Sequence, residues 1–217
     1  MERIVGHRQN WMVRAARSVV ILCVPLLALP ACRLTKKESG SASAATNANA
    51  AVETSQGDDA GSREAFLAAY KVFMHPRCLN CHPAGDAPLQ GEESHLHAQN
   101  VKRGPAGRGV YGMKCGACHQ LTNLSGANMP PGAPDWHLPP PAMAFEGKTP
   151  GELARQLKDP KLNGGKTVEG AIEHLAADPL VLWGWSPGDG RGIPPLSHAE
   201  FVQKMRAWVD KGAAAPE

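Results

Sequence analysis

The chain is poor in aromatic residues: they make up 5% of its 217 positions, as 4 Phe, 2 Tyr and 5 Trp. Large rings carry much of a core's buried area, so side chains alone furnish a thin core here. There is no apolar run near the about 20 residues that cross a bilayer as a helix. There is no convincing alternation of apolar and polar residues, which excludes a strand-built domain. Charge of one sign is also missing once the front of the chain is set aside. Removing 4 of 23 basic residues and 1 of 20 acidic ones with residues 1–31 leaves 19 of each sign. No basic stripe survives, so no nucleic-acid partner is expected. Gly and Pro, by contrast, are plentiful, at 23 and 19.

The longest apolar stretch runs from Ser18 to Leu29, preceded by Arg3, Arg8, Arg14 and Arg17. A basic start followed by about a dozen apolar residues is a targeting segment, too short to be a membrane span. It ends in Leu29-Pro30-Ala31-Cys32. This resembles the bacterial lipobox, in which a small residue precedes the cysteine that receives a diacylglycerol. The resemblance implies that residues 1–31 are a lipoprotein signal peptide and that Cys32 is lipidated. Residues 32–62 follow, with Gly40 to Val52 reading Gly-Ser-Ala-Ser-Ala-Ala-Thr-Asn-Ala-Asn-Ala-Ala-Val. Such a segment buries too little apolar surface to fold, and it reads as a flexible linker behind a membrane anchor.

Residues 63–217 amount to one domain. Inside it stand two copies of one signature: Cys78-Leu79-Asn80-Cys81-His82 and Cys115-Gly116-Ala117-Cys118-His119. C-x-x-C-H is the attachment box of a c-type haem. Two thiols three apart each add to one vinyl group of the same porphyrin, and the next imidazole lies under the iron. The rival is a zinc site of four thiolates, which two C-x-x-C pairs supply. That site gives no reason for a histidine after each pair. With 9 His in the chain, two such histidines arise by chance at roughly 0.2%. The cofactor expected is therefore two haem c, with Cys78, Cys81, Cys115 and Cys118 as covalent attachments and His82 and His119 as proximal iron ligands. Cys23 leaves with the signal peptide and Cys32 takes the lipid, so none of the six cysteines is left for a disulfide.

The distal ligands are not fixed by the boxes. His97, or its neighbour His95, is expected for the first haem, and His137 for the second. His137 lies in a segment stiffened by Pro130, Pro131, Pro134, Pro139, Pro140 and Pro141. Met129, in Asn128-Met129-Pro130, is the rival for either haem, and Met143 a further one. His/Met ligation raises a haem's potential relative to a pair of histidines. His75 is expected to be structural or near a propionate, His174 to be solvated and His198 exposed. Lys102, Arg103 and Arg108 are expected at the surface, with propionate pairing as their alternative.

The helices expected are few. One covers Arg63 to His75, with Phe66, Tyr70 and Phe73 on one face. Thr149-Pro150-Gly151-Glu152 and Ser197-His198-Ala199-Glu200 are capping boxes, opening helices that end at Lys158 and before Gly212. Thr167 caps another, with Val168, Ile172 and Leu175 on one side.

A helix leading into C-x-x-C-H, and a last helix ending in Trp208-Val209-Asp210-Lys211-Gly212-Ala213, resemble the frame of a small class I-like cytochrome c. The chain also resembles small proteobacterial dihaem proteins named for an isoquinoline 1-oxidoreductase subunit, and no substrate is taken from that name. The resemblance implies a mostly α, cytochrome c-like helical domain whose long Pro/Gly-rich loops wrap two covalent haems, with its first and last helices crossing. It implies a lipid-anchored electron carrier on the periplasmic side of a bacterial membrane, passing electrons between redox protein partners. The donor would be a quinol-linked complex or a periplasmic dehydrogenase, and the acceptor a terminal oxidase or reductase. The alternatives are a haem enzyme or sensor with one open coordination site, or the electron-transfer subunit of a larger oxidoreductase.

Overall fold

Helix α1, Asp59–Phe73, turns its Phe66, Ala69, Val72 and Phe73 inward. The structure, a computed structural model, describes residues 57–217. The signal peptide, Cys32 and most of the linker lie outside these residues. α1 begins four residues before Arg63 because Asp58 caps it, its carboxylate accepting from the Gly61 amide at 2.8 Å. An Asp-Asp-Ala-Gly stretch at the end of a low-complexity run thus holds a helix start.

Five more helices follow: α2 (Pro76–Leu79), α3 (Pro150–Lys158), α4 (Val168–Ala177), α5 (Pro179–Leu182) and α6 (His198–Asp210). The domain is helix-dominated, with two small antiparallel pairs. In the first pair β1 (Leu89–Gln90) faces β2 (His95–Leu96); in the second β3 (Gly109–Val110) faces β4 (Met113–Lys114). These strands correct the expectation of none. At two residues each they are too short to show alternation, and their turns carry the fold. Among the described residues no helix is long and apolar enough to cross a membrane.

The core forms where α1 and α6 pack together, with α3 and α4 alongside. Trp208 is fully buried and its ring lies 4.9 Å from that of Phe66. Phe73 meets Phe201 and Phe145 edge-on at 5.2 and 5.3 Å. Ser62, also fully buried, donates to the Trp208 carbonyl and accepts from the Ala214 amide, at 2.8 and 2.9 Å. Both partners of that hydroxyl belong to the end of the chain, so α1 and the C-terminal turn are locked together.

Both capping boxes form. Thr149 accepts from the Glu152 amide while the Glu152 carboxylate accepts from the Thr149 amide, and Ser197 and Glu200 do the same. Thr149→Ala removes a cap worth about 1 kcal/mol, and a denaturant titration should find the midpoint lowered with the slope unchanged. Between α3 and α4, the buried Asn163 donates to the Leu157 and Lys166 carbonyls and accepts from the Lys166 amide, each at 2.8 Å. This fixes the start of α4 against the end of α3.

Candidate functional site

The first C-x-x-C-H box sits where α1 ends. His75 caps α2 by accepting from the Arg77 amide at 3.3 Å, a structural role as expected. Cys78 lies in α2, and Cys81 and His82 follow in the turn beyond it. The second box is opened by a 3-10 turn over Cys115–Ala117. Its approach needs Gly107, whose φ of +71° favours glycine and where a Cβ would run into the Leu138 backbone. The Leu138 amide donates to the Gly107 carbonyl at 2.9 Å, and Cys115 Sγ lies 3.8 Å from that same carbonyl.

The two box histidines are held in the same way by unrelated stretches of chain. His82 Nδ1 lies 2.7 Å from the Met143 carbonyl, and its ring stacks on Phe145 at 3.6 Å with 4° between planes. His119 Nδ1 lies 2.8 Å from the Pro131 carbonyl, and its ring stacks on Trp136 at 4.4 Å, again with 4° between planes. A carbonyl only accepts, so Nδ1 must carry the proton in both rings. Burial holds both imidazoles neutral: His82 is pushed down to about 4 against the pull of the Met143 carbonyl, and His119 is lowered for the same reason. Each ring is thus a fixed tautomer with a bare Nε2, the form in which imidazole ligates a metal.

Beyond His82 opens a cleft enclosing about 1090 Å³ of empty space, part of it open to solvent. Its walls include Phe73, Leu157, Phe201, Cys78 and Cys81, with Arg77 and Lys166 as cations. The surroundings of His119 are shallower, a groove shared with Arg108, Lys114, Leu121 and Trp136. Cys118 is exposed there, and Leu121 is 73% exposed. Burial pushes the Cys78 and Cys81 thiols up to about 12 and 11.

The distal candidates are distributed differently from the expectation. His97, assigned to the first box, has its ring centre 6.3 Å from that of His119 in the second. Its Nδ1 is buried without a hydrogen-bond partner. His137, assigned to the second box, lines the cleft of the first. In position each histidine lies by the other box from the one expected: sequence distance does not follow the loops, and the β1–β2 hairpin carries His97 toward the later box. His95 is exposed, with Nδ1 near the Leu96 carbonyl. Met129 is 38% exposed. Met143 is buried and lines the first cleft, and its carbonyl stands behind His82 at Nδ1.

Other expectations change as well. His174 is not solvated; it is half-buried and lines the first cleft. His198 is also half-buried, its Nε2 2.9 Å from the Leu175 carbonyl and its ring 4.8 Å from that of Trp185. Arg103 is buried rather than at the surface, donating to the Pro139 and Gly85 carbonyls. Arg108 is exposed and pairs with Asp135. Trp183 donates to Asn123 Oδ1 at 2.9 Å and meets Trp136 edge-on at 4.9 Å, which ties α5 to the second box.

No family model, curated protein or solved structure matches the chain.

The residues present fit haem on three counts. Two imidazoles sharing one metal ion at about 2 Å each have ring centres about 6 Å apart, and His97 and His119 have that separation. The orphaned His97 nitrogen is a buried lone pair or proton in need of a partner. The first cleft joins an apolar wall to two cations at one box. A zinc site has less to recommend it. Among the described residues no three His, Cys, Asp or Glu side chains gather into a group able to hold a metal ion, so the four thiols are not assembled as zinc requires. The sequence reading missed Phe145, Trp136 and the Met143 carbonyl, and no spacing signals a carbonyl partner 61 residues away.

Proposed function

We infer that the protein is an exported dihaem c-type cytochrome, tethered to the membrane through Cys32, that carries electrons between redox protein partners on the periplasmic side. The observation that carries this reading is the twofold occurrence of one arrangement. Each C-x-x-C-H histidine is neutral, backed by a carbonyl at Nδ1, clamped against a parallel ring, and bare at Nε2.

When bound, haem supplies a one-electron ferric–ferrous couple. The chain's part is to fix the proximal imidazoles and to surround the first porphyrin with apolar side chains. Carbonyl-backed histidines are better donors and cannot rotate, which keeps the sites rigid as charge changes. His97 is the residue best placed opposite His119, through its 6.3 Å ring separation. Burial holds the cysteine thiols of the first box neutral.

The test is expression in a bacterium able to attach haem in its periplasm, then mass, absorption and EPR measurement of the pure protein. Two covalent haems per chain are expected, both low-spin and unmoved by carbon monoxide. A haem that binds carbon monoxide favours the enzyme or sensor reading. A colourless, zinc-containing chain overturns haem binding altogether.

A further inference from the structure

Two histidines, His137 and His174, line the first cleft together with His82, and they are carried by different elements. His174 belongs to α4, whose Ala171 and Ile172 are buried and which packs on α6 and α3. Its Nδ1 lies 3.4 Å from Asp178 Oδ2, one helical turn on. Asp178 is itself fixed, because its other oxygen accepts from the Leu180 and Val181 amides at 2.9 and 3.3 Å as the cap of α5. A carboxylate at Nδ1 leaves Nε2 free, the arrangement that orients a metal-ligating histidine. On the next residue, the Leu175 carbonyl is held by His198, so this turn of α4 is anchored from outside as well.

His137 stands on a loop. Its Nδ1 meets the Asp135 backbone carbonyl and lies 3.6 Å from the Asp135 carboxylate, so it too is backed, and what sets it apart is the loop that carries it. Asp135 in turn is paired with Arg108 on the rim of the second box. A ligand carried by a helix keeps its place better than one carried by a loop.

Resting on the haem reading above, we propose that His174, oriented by Asp178, is the distal iron ligand of the first haem. His82 and His174 then give that haem two nitrogen ligands. With His97 opposite His119, both haems are bis-His and low in potential, since a methionine on either would raise it. His137 is left as a wall residue near the edge of the cleft.

The experiment compares the full holoprotein with H174A and H137A by EPR, absorption and carbon monoxide binding. H174A should keep two covalent haems and convert one of them from low-spin to high-spin, with carbon monoxide binding at one haem per chain. Added imidazole should return the H174A spectrum to low-spin, which separates loss of a ligand from loss of fold. H174M should stay low-spin and raise the potential of one haem while leaving the other in place. H137A should keep both haems low-spin and closed to carbon monoxide. If H174A stays low-spin with two haems and H137A becomes high-spin, His137 is the ligand and the proposal is overturned. If the parent carries no haem, it is the electron-carrier reading that fails, and the two failures are told apart by haem content alone.

Discussion

A chain carrying C78S and C81S is expected to lose one haem and most of its stability, whereas C115S with C118S loses one haem and stays folded. The difference follows from what each cofactor would touch. The first cleft is walled by Phe73, Leu157 and Phe201, which belong to the same cluster as Trp208 and Met205. Emptying it leaves core side chains facing a void. Cavities made by deleting a single leucine cost about 3–5 kcal/mol, and a loss of that size is a large part of the stability of many domains. The second box is ringed by exposed residues, among them Tyr111 at 97% and Leu121 at 73%, so little of the core depends on what fills it. Thermal melts followed by far-ultraviolet circular dichroism, with haem content measured alongside, check both halves. Equal melting temperatures for the two double variants would sink the argument.

Trp208→Ala is the second large effect. The side chain is fully buried, lies tilted against Phe66 and donates from Nε1 to the Ala214 carbonyl at 3.0 Å. Its removal opens a large cavity, and replacing a buried aromatic by alanine costs about 3–5 kcal/mol. It also orphans the Ala214 carbonyl beside the Ser62 hydroxyl, loosening the lock between α1 and the chain end. For a domain of this length each kcal/mol moves the melting temperature by about 2–4 °C, so a fall of about 6–20 °C is expected. Trp208→Phe keeps most of the packed area and should lose less. A W208A melt within 2 °C of the parent, roughly the shift of 1 kcal/mol or less, would mean that α1 and α6 are held together by something other than this contact.

The helices that could be read in the sequence were those with local chemistry at their ends. Thr149 with Glu152, Ser197 with Glu200, and Thr167 all cap the helices their spacing announces. The apolar stripe of Phe201, Met205 and Trp208 is the buried one. What could not be read depends on contacts between distant residues. α5 is four residues long, and its start at Asp178-Pro179 looks like the stop of α4. The strand pairs are two residues long. Within the site, the cysteines and His82 and His119 announce themselves by spacing, but the carbonyls behind the imidazoles do not, because any residue supplies one. His174 looked solvated since it lies off the apolar stripe of its helix; it is half-buried because that side of α4 faces the cleft. Its one local sign was an aspartate four residues later.

The pairing of Asp58 with Lys211 has a mechanical consequence. It pins the first turn of α1 to the last turn of α6, and the Ser62 hydroxyl repeats the tie one turn further in. The first box stands at the other end of α1, and a helix of 15 residues is about 22 Å long. Any pull transmitted through the preceding chain is therefore taken up by the α1–α6 clasp, a full helix length from His82. The chain before Asp58 and the first box sit at opposite ends of one strut, so a pull entering there would be met before it reached His82.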